Sequence, residues 1–182
     1  MIHPPVRSKY RVNETQVAHF VRATIVGWLP VFTTAARCDI LVESLTYCRT
    51  HKGLLIHAWV ILDNHFHAIL AVPDLSQTLA DLKRHTARRI QDVLKQEGCD
   101  WLLNQFQYLR LPHKKWSDSQ IWQEGFHPQA MVTDVIMQQK LDYLHNNPVK
   151  RGLVASPERW RYSSAHEWLE GAMPAFKCDP WR

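Results

Sequence analysis

The chain predicts an α+β domain built on a split β-α-β plan, and three observations carry that expectation. HFVRATIVGW, residues 19–28, is rich in β-branched and aromatic residues and reads as a strand. Two stretches with helical spacing follow, over 34–51 and 76–98. Between them Leu54 to Pro73, LLIHAWVILDNHFHAILAVP, reads as two apolar strands joined at Asp63-Asn64. The order β-α-β-β-α is most of the ferredoxin-like arrangement, an antiparallel sheet with helices laid on it.

Each element has a local reason. Pro30 closes the first strand. In the first helix Ile40, Leu41, Ser44, Leu45 and Cys48 recur at helical spacing, Thr33 or Thr34 can cap it, and Gly53 breaks the chain after it. The second helix turns Leu79, Leu82, Thr86, Ile90, Val93 and Leu94 inward and ends at Gly98. Its outer side carries Lys83, Arg84, Arg88, Arg89 and Lys95. The plan needs one more strand, and Phe106 to Leu111, FQYLRL, is the best candidate. A third helix, Thr133 to Asn147, has the apolar stripe Met137, Leu141 and Leu144 and is expected to end at Pro148. Tyr143 falls at the edge of that stripe, and Asn147 follows it by one turn, about 40° away.

The 182 residues suit one domain, expected over 19–168, with an N-terminal extension over 1–18 and a tail over 169–182. Net charge is +5 and the pI about 9.1, which makes a polyanion a reasonable partner. The eight tryptophans are many, and some could be platforms for unpaired bases. Cys38, Cys48, Cys99 and Cys178 show no C-x-x-C spacing, which argues against structural zinc and for reduced thiols. No stretch approaches the roughly 20 apolar residues of a membrane span, and MIHPPVRSKY lacks a signal-peptide core. A cytosolic protein without a membrane partner is expected.

The chemistry centres on His65-Phe66-His67. Strand side chains alternate faces, so the two imidazoles share one face with Cα atoms roughly 6.5 Å apart, and can chelate one metal ion. Phe66, Ala68, Leu70 and Val72 point the other way. Alone the pair is a modest signal. Tyr143 on a later helix and a basic, aromatic-rich surface raise it, because the three together suit phosphodiester chemistry with a tyrosine nucleophile. A free phenol is only about one part in a thousand ionised at pH 7, so it needs a base or a metal-organised site. Candidate phosphate contacts are Lys83, Arg84 and Arg88, the loop cluster His113-Lys114-Lys115-Trp116, and Lys150-Arg151.

Several segments resemble the REP-associated tyrosine transposases of the single-tyrosine HUH superfamily (His, bulky hydrophobic, His). AWVILDNHFHAIL resembles the HUH strand pair, KLDYLHNNPVKRGLV the tyrosine helix, IWQEGFHPQAM a strand and turn, and WRYSSAHEW the closing aromatic-Ser-Ser segment. The resemblance runs from about His19 to Trp168. It implies a ferredoxin-like HUH core with a C-terminal tyrosine helix, His65 and His67 as metal ligands, and Tyr143 as nucleophile. It also implies Mg2+ or Mn2+, and cleavage and strand transfer of single-stranded DNA beside REP-like hairpins through a 5′-phosphotyrosine. A monomer or homodimer in the bacterial cytoplasm, at the nucleoid when bound to DNA, is expected from it. Asn147 stands where a third ligand is found in the family, with Gln139, His145 and Asn146 as rivals. Two positions depart from the family pattern. Asp63 replaces a common Pro, which either alters the turn or adds a carboxylate near the metal. His127-Pro128 replaces an aromatic-acidic pair. Other readings are a hairpin-binding module without turnover, an RNA-binding ferredoxin-like domain, which lacks its paired-aromatic motif here, and a metal hydrolase that uses bound water.

Overall fold

A computed structural model describes residues 17–114, 117–169 and 177–181. Four strands form one antiparallel sheet: β1 (His19–Thr24), β2 (Leu55–Ile61), β3 (His65–Ala71) and β4 (Gln129–Ala130). Their order across the sheet, β2-β3-β1-β4, is that of the split β-α-β plan. In the register, β3 is the spine: Arg22 pairs with His67 and Thr24 with His65 on one side, Val60 with His67 on the other.

One face of the sheet is covered by α1 (Ala35–Lys52) and α2 (Leu75–Gln96). Phe66, Ala68 and Leu70 meet Leu41, Leu45, Leu79, Leu82 and Ile90 there. The caps are as expected: Thr34 accepts from Arg37 N–H at 3.4 Å, and Gly53 closes α1 at φ 66°. The opposite face carries Phe20, Val60, Ile69 and Ala71. It packs on Met137, Leu141 and Leu144 of α4 (Asp134–Lys150). A short α5 (Ala165–Leu169) follows.

Three expectations are corrected. Residues 106–111 are not a strand; α3 (Asp100–Tyr108) takes the first half of them, burying Leu102 and Phe106 one turn apart while Tyr108 is exposed. A single buried side chain in FQYLRL cannot supply the alternation a strand needs. The fourth strand is instead the two-residue β4, continued irregularly along β1 by Trp122, whose bridge is to Ile25, and by Phe126, whose carbonyl accepts from Arg22 N–H. Pro148 does not end the third helix. It lies inside α4, which runs to Lys150; the missing N–H removes one backbone bond while burial of Pro148 keeps the turn packed. The first strand stops at Thr24, because Ile25 and Val26 bond to Asn64 and Ile121 and the chain turns at Gly27.

Gly27 sits at φ 62°, and a Cβ there would come within 2.5 Å of Leu109 Cδ1. Gly27→Ala is expected to destabilise by about 1–3 kcal/mol in urea denaturation, and a neutral result would contradict this turn.

Along the outer edge of β2, Ile61 N–H donates to the Tyr162 carbonyl, Ser164 N–H to the Trp59 carbonyl, and Asp179 N–H to the Ile56 carbonyl. Residues 177–181, part of the tail of the sequence, thus help cover a strand edge that would otherwise template association.

Candidate active site

The site lies on the sheet face shared with α4. Alternation along β3 brings His65 and His67 to the same face, with ring centroids 4.9 Å apart and planes at 83°. Phe20, two residues from Arg22 on the neighbouring strand, stacks on His67 at 5.1 Å. From α4 the Tyr143 ring reaches both, 5.4 Å from His67 and 5.9 Å from Phe20, and remains 40% exposed. The structure therefore brings the expected histidine pair and the expected tyrosine together.

Burial sets the protonation of the pair. His65 is held neutral down to about pH 4, by burial first and then by Arg151 and Arg22. His67 is pushed down to about 3, by burial and then by His65, Arg22 and Lys140. Neutral imidazoles are what a metal requires. His67 is only 1% exposed, and among the described residues neither of its ring nitrogens has a hydrogen-bond partner. Buried polar atoms are normally satisfied, and an imidazole whose lone-pair nitrogen receives no donor fits an electrophile at that nitrogen better than it fits packing.

Asn64 fixes His65. Its Oδ1 has only lone pairs to offer and accepts from His65 Nδ1–H at 2.6 Å, which leaves the Nε2 lone pair free. Arg151 also donates to that oxygen, at 3.0 Å, and to Asp63 Oδ2 at 3.1 Å. The carboxylate that departs from the family pattern is thus held by the residue following α4, tying the end of the tyrosine helix to the β2–β3 turn.

The other expected residues are placed unequally. Lys150 joins the site, its Nζ 5.7 Å from the Tyr143 ring centroid, and Arg151 reaches it through Asn64. Asn147 is buried one turn after Tyr143. Its rival His145 is occupied elsewhere, bonded to Ser164 at 2.9 Å, and Asn146 donates to the Asp142 carbonyl. Arg84 and Arg88 belong to α2, on the opposite side of the sheet, where they line a groove of about 630 Å³ with Glu43, Tyr47 and Lys52. Arg84 is ion-paired to Asp81 there. Lys83 is not on the outer side of its helix: half-buried, it donates to the carbonyls of Gln123 and Gly125 and lies over Phe126. Lys114 pairs with Glu124 at 3.1 Å, while Lys115 and Trp116 lie outside the described residues.

Sequence reasoning missed Phe20, Arg22, Trp28, Asn64 and Lys140. Lys140 Nζ stands 4.8 Å from the Phe20 ring centroid and 5.9 Å from that of Tyr143. Its position one turn before Tyr143 was the available signal. Among the described residues no three His, Cys, Asp or Glu side chains group as a metal site.

The depressed imidazoles make a prediction. The unfolded chain takes up these protons near pH 6.5, whereas the fold resists until about 4 for His65 and His145 and about 3 for His67. Folded values below unfolded ones mean stability is full above about pH 6.5 and falls as the pH drops toward 4 and below. For His145 alone the loss is at most roughly 3 kcal/mol. Urea denaturation of metal-free protein should show this slope, and His145→Gln should make it shallower by the His145 share; a level profile would mean the imidazoles are solvated.

No family model matches the chain. A Haemophilus influenzae protein named for the REP-associated tyrosine transposases is 30% identical over 110 residues, 58% of this chain and 56% of that protein. The chain thus spans little more than half the length of that relative. A solved structure of a REP-associated tyrosine transposase bound to a REP hairpin shares the fold, with a TM-score of 0.61 at 20% identity over 99% of this chain and 93% of that one. Among the described residues no helix is long and apolar enough to cross a membrane. In sequence and in fold, this chain is similar to the REP-associated tyrosine transposases.

Proposed function

We propose that the chain is a metal-dependent DNA strand transferase that cleaves single-stranded DNA beside a hairpin and holds it as a 5′-phosphotyrosine. The observation that carries the reading is His67: buried, neutral, without a partner at either nitrogen among the described residues, and in ring contact with Tyr143. His65 and His67 would hold Mg2+ or Mn2+, with Asn147, one turn after Tyr143, the candidate third ligand. Bound there, the ion supplies Lewis-acid polarisation of a phosphate.

The chain's own groups do the rest. Tyr143 Oη forms the new bond to phosphorus and gives up its proton to solvent. The bond from phosphorus to the 3′ oxygen breaks, that oxygen takes a proton from solvent, and the strand leaves with a 3′ hydroxyl. Attack by another 3′ hydroxyl reverses the exchange without ATP. Lys140 and Lys150 flank the Tyr143 ring and are placed to take phosphate oxygens. Asn64 keeps the His65 Nε2 lone pair available, and Arg151 holds α4 against the turn that carries Asn64. A hairpin with a single-stranded tail is the proposed substrate and homo-oligomeric exchange is not required, since His65, His67 and Tyr143 meet within one chain.

The test is a denaturing gel of labelled tailed hairpins incubated with protein and Mn2+. A slow, protease-sensitive band is expected. Cleavage without such a band would favour a hydrolase, and retention without cleavage a binding module.

A further inference from the structure

We propose that Trp28 is a stacking platform for an unpaired nucleobase at the rim of the His65–His67 site. The proposal rests on the DNA-processing reading above and adds where the single strand lies.

Trp28 is 49% exposed, yet its ring stands edge-on to the buried His65, centroids 5.8 Å apart. Its φ is 55°, in the left-handed region where a bulky side chain is an outlier. Such a conformation persists only where its surroundings over-determine it, and it clusters at ligand sites. Two bonds hold it here. Trp28 N–H donates to the Ile25 carbonyl at 3.0 Å, and the Trp28 carbonyl accepts from Asn64 Nδ2 at 3.1 Å. The same Asn64 orients His65, so one side chain sets both the ring and the imidazole. Gly27, whose missing Cβ admits Leu109, completes the turn.

A Trp serving only the core would be buried and would not need this backbone. What the position offers is a flat π-surface at a fixed place beside the reacting face. Arg22, whose guanidinium carbon lies over one face of the ring 5.4 Å from its centroid, sets a cation against the platform and leaves stacking to the other face. An aromatic face beside a cation is the chemistry that takes one nucleotide, base on the ring and phosphate on the charge. Base pairs inside a duplex have no free face, so the ligand is the tail of the hairpin and not its stem.

The experiment is fluorescence-anisotropy binding of a labelled DNA hairpin with a short single-stranded tail, beside the same hairpin made blunt. Trp28→Ala should weaken the tailed hairpin about 5- to 150-fold, the range for one lost base stack, and leave the blunt one unchanged. Trp28→Phe should recover much of the loss. Trp28→Gly removes the ring while relieving the backbone, so it should melt no lower than wild type and still bind as weakly as Trp28→Ala. Abasic nucleotides in the tail should weaken wild type and leave Trp28→Ala unaffected. Equal binding of the tailed hairpin by wild type and both ring-less variants would overturn the proposal, as would an equal loss on tailed and blunt DNA. Wild type that binds neither hairpin would overturn the DNA-processing reading itself, and this proposal with it.

Discussion

Tyr143→Phe is expected to abolish cleavage, by at least about a thousandfold, while hairpin affinity stays within about twofold. The two halves of that expectation have separate causes. The ring contacts of Tyr143 with Phe20 and His67 survive in Phe, so the wall of the site keeps its shape. The cations that would grip phosphate, Lys140, Lys150 and Arg22, are untouched. Only the hydroxyl is lost, and with it the atom that bonds to phosphorus. A hydrolase working through bound water would keep most of its rate, so quantifying cleaved DNA for both proteins separates the mechanisms.

The second large effect is expected at His67. His67→Leu should remove cleavage by at least about a thousandfold, as loss of a metal ligand does when only two imidazoles are present. Stability should move the other way. Burying unsatisfied polar atoms costs about 1–3 kcal/mol, and both nitrogens of His67 are in that position in the metal-free protein. An apolar replacement among Phe20 and Ile69 should therefore leave the metal-free fold as stable, or more stable by roughly 1 kcal/mol. Mn2+ should raise the melting temperature of wild type and not that of the variant. If His67→Leu instead destabilised the metal-free protein by several kcal/mol, the imidazole would be a core residue and the metal reading would lose its support.

How far these features can be read from sequence depends on how each is encoded. β2 and β3 are continuous apolar runs around one turn, and α1 carries its caps, Thr34 and Gly53, in the sequence itself. The face shared by His65 and His67 follows from alternation alone. β4 has no such signature: two residues, one exposed, paired to His19 and Phe20 through tertiary contacts. Pro148 misled because an isolated helix would stop there, whereas here it is buried and α4 continues past it. Charge was the least legible quantity. Arg84 and Arg88 look like a binding face on a helical projection, yet the sheet separates their helix from the histidines. Lys140, which does flank Tyr143, looked like any solvated lysine. The partnership of Asn64, Arg151 and Asp63 joins residues 88 positions apart or fewer, and no local pattern announces it.

The most direct measurement is peptide mass spectrometry of wild-type protein after reaction with a tailed hairpin and Mn2+. The account predicts one modified peptide, spanning part of α4, with a nucleotide attached through its 5′ phosphate to the Tyr143 oxygen. A nucleotide on any other residue, or cleaved DNA with no modified peptide, would contradict it.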